Sequence, residues 1–213
     1  AVGYQTLQAN TVGVNNNAFG YVALKANTIG TGNNAFGFAA LTANTTGIDN
    51  TAVGHYSLGG NTIGSYNTAI GREALASNTT ASYSTAVGYG ALYTNITGTE
   101  NTAVGVNALY YNTASYNAAL GVNCLQNNST GAGNSALGHS ALKTNTTGAN
   151  NTAVGYAVLY NNTTGANNVA VGGFAGTGTL TANTTGSSNT MVGWTAYAGT
   201  GYAGTNNLTL IGS

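Results

Sequence analysis

Residues 151–165 read Asn-Thr-Ala-Val-Gly-Tyr-Ala-Val-Leu-Tyr-Asn-Asn-Thr-Thr-Gly, and the chain repeats that phrase with small changes along its length. The core of the phrase recurs with its glycine at Gly3, Gly20, Gly37, Gly54, Gly71, Gly88, Gly105, Gly121, Gly138, Gly155, Gly172, Gly193 and Gly212. The interval is 17 residues, except for 16 between Gly105 and Gly121 and then 21 and 19 at the end. A leucine stands four residues after the glycine at Leu7, Leu24, Leu41, Leu58, Leu75, Leu92, Leu109, Leu125, Leu142 and Leu159. An asparagine stands seven residues after it at Asn10, Asn27, Asn44, Asn61, Asn78, Asn95, Asn112, Asn128, Asn145 and Asn162. One unit is thus copied about thirteen times. A unit this small cannot bury a core by itself, so the copies must stack and share one.

Helix-turn-helix repeats need more than about 30 residues and propeller blades about 40. Seventeen residues suit one coil of a narrow all-β parallel β-solenoid, or β-roll. At ~3.3 Å per strand residue, two strands of about four or five residues and two tight turns use up such a coil. Thr-Ala-Val-Gly-Tyr is expected as one strand, Ala-Leu as the start of the second, and Asn-Thr-Thr-Gly as the return turn. The absence of proline fits, because every coil must donate its N–H groups to a neighbour. A single helical turn over the Tyr-x-Ala-Leu-x-x-Asn part is the structural rival.

Stacking at ~4.8 Å per coil predicts a rod about 60 Å long. Its core would hold Ala, then Val, Ile or Phe, then Ala and Leu from each coil. That is a thin filling, so association side by side, as a trimer, is expected. Residues 1–172 form the regular solenoid, and 173–213 are irregular C-terminal repeats of the same domain. There Gly-Phe-Ala-Gly-Thr-Gly-Thr-Leu inserts four residues before Asn183, as a binding loop or a terminal cap.

Three Lys or Arg face three Asp or Glu in 213 residues, a charged fraction of 3%. About a quarter of an ordinary soluble chain is charged. Phosphate neutralisation therefore cannot drive nucleic-acid binding, and no polybasic patch attracts an anionic membrane. No apolar run approaches the ~18 residues of a spanning helix. The amino terminus begins inside the motif without a signal-like segment, which reads as a mature chain or a fragment. A single cysteine, Cys124, rules out an internal disulfide and a Cys-ligated metal cluster.

Asn-Thr-Ala-Val-Gly at 101–105 and 151–155, Asn-Thr-Ala-Ile-Gly at 67–71 and Asn-Ser-Ala-Leu-Gly at 134–138 resemble the Asn-Ser-Val-Ala-Ile-Gly repeat of trimeric autotransporter adhesin heads. They are also similar to Thr-Ala-Val-Gly-Tyr repeats of some bacterial and phage fibre proteins. The resemblance covers nearly the whole chain and implies a left-handed parallel β-roll. It also implies three chains wound into one head that binds host matrix or other surfaces.

Chemistry has few candidates. Asp49 and Glu100 share a repeat position but stand three coils apart, roughly 14 Å. A glycosidase pair needs about 5–9.5 Å. Glu73 adjoins Arg72, which reads as a local ion pair. His55 and His139 both replace the aromatic after the motif glycine, about 24 Å apart, too far to share a metal. Cys124 takes the place of an inward Ala and reads as a small buried hydrophobe. The glycines recur in every coil without a following Lys-Ser or Lys-Thr, so they are turn glycines and no phosphate loop. No cofactor is expected, and no catalysis.

Surface columns offer more. Tyr4, Tyr21, Phe38, Tyr89, Tyr156 and Trp194 follow motif glycines and would form an aromatic ladder. It either seals the rod or a subunit seam, or presents a strip to sugars or proteins. The asparagines form a ladder between coils. Threonine rows could instead order water and bind ice, although adjacent Thr-Thr pairs in a turn point their hydroxyls apart. Sequons at Asn44, Asn78, Asn95, Asn128, Asn145, Asn162 and Asn183 would carry glycans if the chain is secreted by a glycosylating cell.

The reading that gathers these features is an extracellular or cell-surface fibre segment, structural or adhesive and non-enzymatic. Its expected partners are copies of itself, in a homotrimer or an end-to-end filament, and host or environmental glycans or proteins. An ice-binding or carbohydrate-binding solenoid is the alternative.

Overall fold

A strand of three residues cannot place two neighbours on one face, and that constraint sets the architecture. In a computed structural model, which describes residues 1–175, 183–194, 196 and 204–212, the chain is an all-β parallel β-solenoid. It has two compact units, Ala1–Val106 and Asn107–Ser213. The first unit holds β1 (Asn17–Phe19), β2 (Asn34–Phe36), β3 (Thr51–Val53), β4 (Thr68–Ile70), β5 (Thr85–Val87) and β6 (Thr102–Val104), each pairing in parallel with the next. The second holds β7 (Ala118–Leu120), β8 (Ser135–Leu137), β9 (Thr152–Val154), β10 (Val169–Val171), β11 (Thr190–Val192) and β12 (Thr209–Ile211), paired in the same way. Register is the sequence repeat itself, with Ala52 opposite Ala69 and Ala136 opposite Ala153. The first of the thirteen motifs enters only as a bridge from Val2 to Phe19. Ala170 still faces Met191 across the longer interval, so the strand register is kept. The expected binding loop or cap falls largely on 176–182, outside the described residues.

The strand stops at the motif glycine for a steric reason. Gly71 has φ 128°, and a Cβ there would lie 2.6 Å from the carbonyl oxygen of Gly88 in the next coil. The expected second strand is instead a six-residue turn in which the second and fourth residues are left-handed, as at Tyr56 (φ 55°) and Leu58 (φ 49°). Alternating handedness keeps N–H groups along the stacking direction. Tyr56 N–H donates to Phe38 C=O at 2.8 Å, Leu58 N–H to Ala74 C=O at 2.9 Å and Gly60 N–H to Ala76 C=O at 2.9 Å. The ladder thus runs on without β geometry, and no helix occurs among the described residues.

Inside most coils lie the strand alanine, a residue three after the glycine that is usually small and the leucine four after it, as with Ala69, Ala74 and Leu75. The residue just before the glycine, expected in the core, points outward. Its neighbour Ala takes the inward face, so the Val, Ile, Leu or Phe cannot.

Asparagine fills the rest of the interior. Asn61 donates through Nδ2 to Asn44 Oδ1 at 2.8 Å and to Gly64 C=O at 2.9 Å, and its own Oδ1 accepts from Asn78 at 2.7 Å. A second column precedes most strands: Asn67 Nδ2 donates to Ala81 C=O at 2.9 Å, and its Oδ1 accepts the backbone N–H of Ser84 at 3.0 Å. These amides are fully or almost fully buried and bonded on every side. The 16-residue interval is absorbed here, since Asn112 Nδ2 turns to Ala114 C=O at 2.7 Å in the shortened return turn.

Candidate functional site

With polar amides inside, the outer columns carry the apolar side chains. Before the motif glycine, Phe19, Phe36, Val53 and Ile70 of the first unit and Leu120, Leu137, Val171 and Val192 of the second are 39–48% exposed. Phe19 and Phe36 stack at 5.1 Å between ring centroids. Alternation along a three-residue strand was the signal that could have found this column.

The aromatic row after the glycine also faces water. Tyr4, Tyr21 and Phe38 stack at 5.1 and 5.2 Å, and His55 continues the row at 5.0 Å from Phe38. Tyr89 lies under the Arg72 guanidinium at 5.9 Å. In the second unit His139 stacks on Tyr156 at 5.4 Å, and Phe174 meets Tyr156 and Trp194 edge to face at 4.9 and 5.7 Å. The histidines are therefore members of the row. Within the single chain the row seals nothing, because Tyr4, Tyr21, Phe38, Tyr89, Tyr156 and Trp194 are all exposed. A further pair, Tyr66 and Tyr83, stacks at 5.1 Å on another edge.

The sequon asparagines sit in the interior ladder. Asn44, Asn78, Asn95, Asn128, Asn145 and Asn162 are 0% exposed and Asn183 is 4% exposed. Each gives its amide hydrogens to the preceding coil's asparagine and to a carbonyl of its own turn, as Asn145 does to Asn128 at 2.7 Å and Gly148 at 2.8 Å. A glycan has no room on these nitrogens in the folded coil, which corrects the expectation of a surface row. Asn10 and Asn27 open the same ladder at 2.8 Å.

The threonine column of the return turn is committed too: Thr28, Thr45 and Thr62 each donate their hydroxyl to a carbonyl of the next coil at 3.0 Å. Asp49 and Glu100 occupy left-handed turn positions with φ 52° and 56°. Arg72 and Glu73 pair at 3.1 Å on the surface, an arrangement worth at most about 1 kcal/mol. Cys124 is fully buried, with its thiol donating to Ala136 C=O at 3.3 Å. Burial pushes that thiol up to about 12, against a smaller lowering from the Leu120 backbone. It is a protonated filler at neutral pH. Among the described residues no three His, Cys, Asp or Glu gather as a metal site, and no helix is long and apolar enough to cross a membrane.

One concavity in the second unit combines several of these features. A cleft of about 410 Å³ opens between His139, Ser140 and Lys143 of one coil and Tyr156, Tyr160 and Asn161 of the next. Lys143 Nζ lies 5.6 Å from the Tyr160 ring centroid. No motif marks this cleft; it arises only when residues 17 apart are stacked.

Searches against protein-family models, curated proteins and solved structures returned no match.

Proposed function

We propose that this chain is a structural and adhesive fibre segment, of the extracellular or cell-surface kind, that associates side by side with copies of itself and performs no catalysis. The observation that carries the reading is the outward apolar column, which in a lone chain leaves a Val, Ile, Leu or Phe side chain of most coils partly in water. At about 40% exposure each leaves on the order of 60–80 Å² uncovered, so four of them with flanking rings offer roughly 500 Å² per unit, more than half of the ~800 Å² per partner of a stable interface. Two copies carry the same inter-coil spacing, so their ridges match in register. With net charge zero they do not repel.

Sedimentation over a range of concentrations tests this. Wild type should associate, with three chains per particle supporting the trimeric form, and Val53→Lys with Ile70→Lys should give monomers of unchanged fold. A 21.1 kDa species at every concentration would overturn it. A second reading draws on the strand face, where Thr51, Thr68, Thr85 and Thr102 stand in register beside outward Val and Ile. That array of hydroxyls and methyls is suited to ordering water, and thermal hysteresis in a freezing assay would favour it.

A further inference from the structure

We propose that the cleft at Lys143 binds an acidic saccharide, a sugar ring bearing a carboxylate or sulfate. This gives the adhesive part of the reading above its ligand class and rests on that part, but not on self-association, because the cleft lies on the long turn rather than on the apolar strand column.

Its size falls in the ~300–1,000 Å³ range of small-ligand sites. Ala157 lines the cleft with a single methyl at the repeat position filled by Asn123, Ser140 and Phe174 in neighbouring coils. Tyr156 supplies one aromatic wall, braced by His139 and Phe174, and Tyr160 the other. Aromatic faces take the C–H face of a sugar, while planar amides and hydroxyls take its O–H groups.

Two observations turn this from a groove into a site. Lys143 is the only charged side chain in residues 107–213, and no Asp or Glu exists there to neutralise it. Its ammonium sits over Tyr160 with no ion-pair partner among the described residues. Second, Ser140 lines the cleft at 4% exposure, and its hydroxyl has no hydrogen-bond partner among the described residues. Buried hydroxyls are normally bonded, so this one is poised for a partner that enters the cleft. An anionic sugar oxygen satisfies both groups. The first unit sharpens the contrast. Lys25 occupies the same repeat position there, but the next coil offers Thr42 in place of Tyr160.

The test is calorimetric titration of the full chain with three soluble probes: a galacturonic acid trisaccharide, a sulfated chondroitin tetrasaccharide and a neutral galactose trisaccharide. At least one acidic probe should bind roughly tenfold or more tightly than the neutral one, the gain of one charge-assisted contact. The tighter of the two identifies the anion. Lys143→Gln should abolish that preference, Ala157→Leu should block all binding without touching charge, and Lys25→Gln should change nothing. Circular dichroism and thermal melts confirm that each variant folds. No binding of either acidic probe, equal binding of the neutral probe, or equal losses in Lys143→Gln and Lys25→Gln would overturn the proposal. Binding that persists in the Val53→Lys, Ile70→Lys chain separates this site from the self-association face, so either can fail alone.

Discussion

Ala69 and Ile70 are adjacent on one strand, and the smaller is sealed inside while the larger stands in water. A similar inversion recurs along the chain: asparagine lies within beside the turn leucine, while isoleucine, phenylalanine, tyrosine and most valines stand without. The difference teaches that the cross-section, not hydrophobicity, selects the interior. A coil closed by 17 residues has space for one leucine and two alanines, and it completes its filling with amides that bond to the coils above and below. Apolar burial per coil is small, so hydrogen bonding carries an unusual share of cohesion, and the outside keeps apolar surface for use elsewhere.

The comparison can be broken most violently where two coils touch through backbone. Gly71→Ala places a methyl against Gly88 at a φ that side chains rarely adopt, and should cost more than about 4 kcal/mol, read as loss of the cooperative melt. Next comes the interior amide. Asn61→Ala strands Asn44 Oδ1 and an amide hydrogen of Asn78, and denaturant titration should show a loss of about 3–5 kcal/mol.

Cys124 probes the interior through pH. Its thiol ionises near 9.0 when unfolded and near 12 when folded, so the unfolded chain holds fewer protons in between. Stability should therefore be level below pH 9 and fall by on the order of a few kcal/mol as pH rises toward 12. Cys124→Ala, which restores the repeat's usual residue, should flatten that decline relative to wild type.

Smaller effects sharpen the outside. Glu100→Asn relieves a left-handed residue at a position that Asn15, Asn150 and Asn167 occupy elsewhere, and should raise stability by about 0.5–1 kcal/mol in the same titration. Ile70→Lys should shift folding stability by less than about 0.5 kcal/mol, while the same residue buried would cost several.

Much of this was legible in the sequence. The period predicts the coil, the invariant spacing of Asn27, Asn44 and Asn61 predicts a ladder, and the lone Cys124 in an alanine slot predicts a buried filler. What escaped has physical reasons. Val53 looks like core by its chemistry, and only strict alternation beside Ala52 sends it outward. Leu58, Tyr66 and Glu100 carry no mark of a positive φ, so the left-handed turns that replace a second strand could not be read from residue type. Asn67 and its column lie just ahead of the expected strand, and residue type alone does not set them apart as a second interior ladder. The Lys143 cleft depends on side chains from four coils, and no linear motif encodes it.

The most direct test of the inside-out coil is hydrogen exchange of asparagine side-chain amides, resolved by NMR. The account predicts that Asn27, Asn44, Asn61, Asn145 and Asn162 exchange slowly, at rates set by opening of the folded coil, because each is fully buried and donates both hydrogens. Exchange of these amides as fast as that of free asparagine would place them in solvent and contradict it.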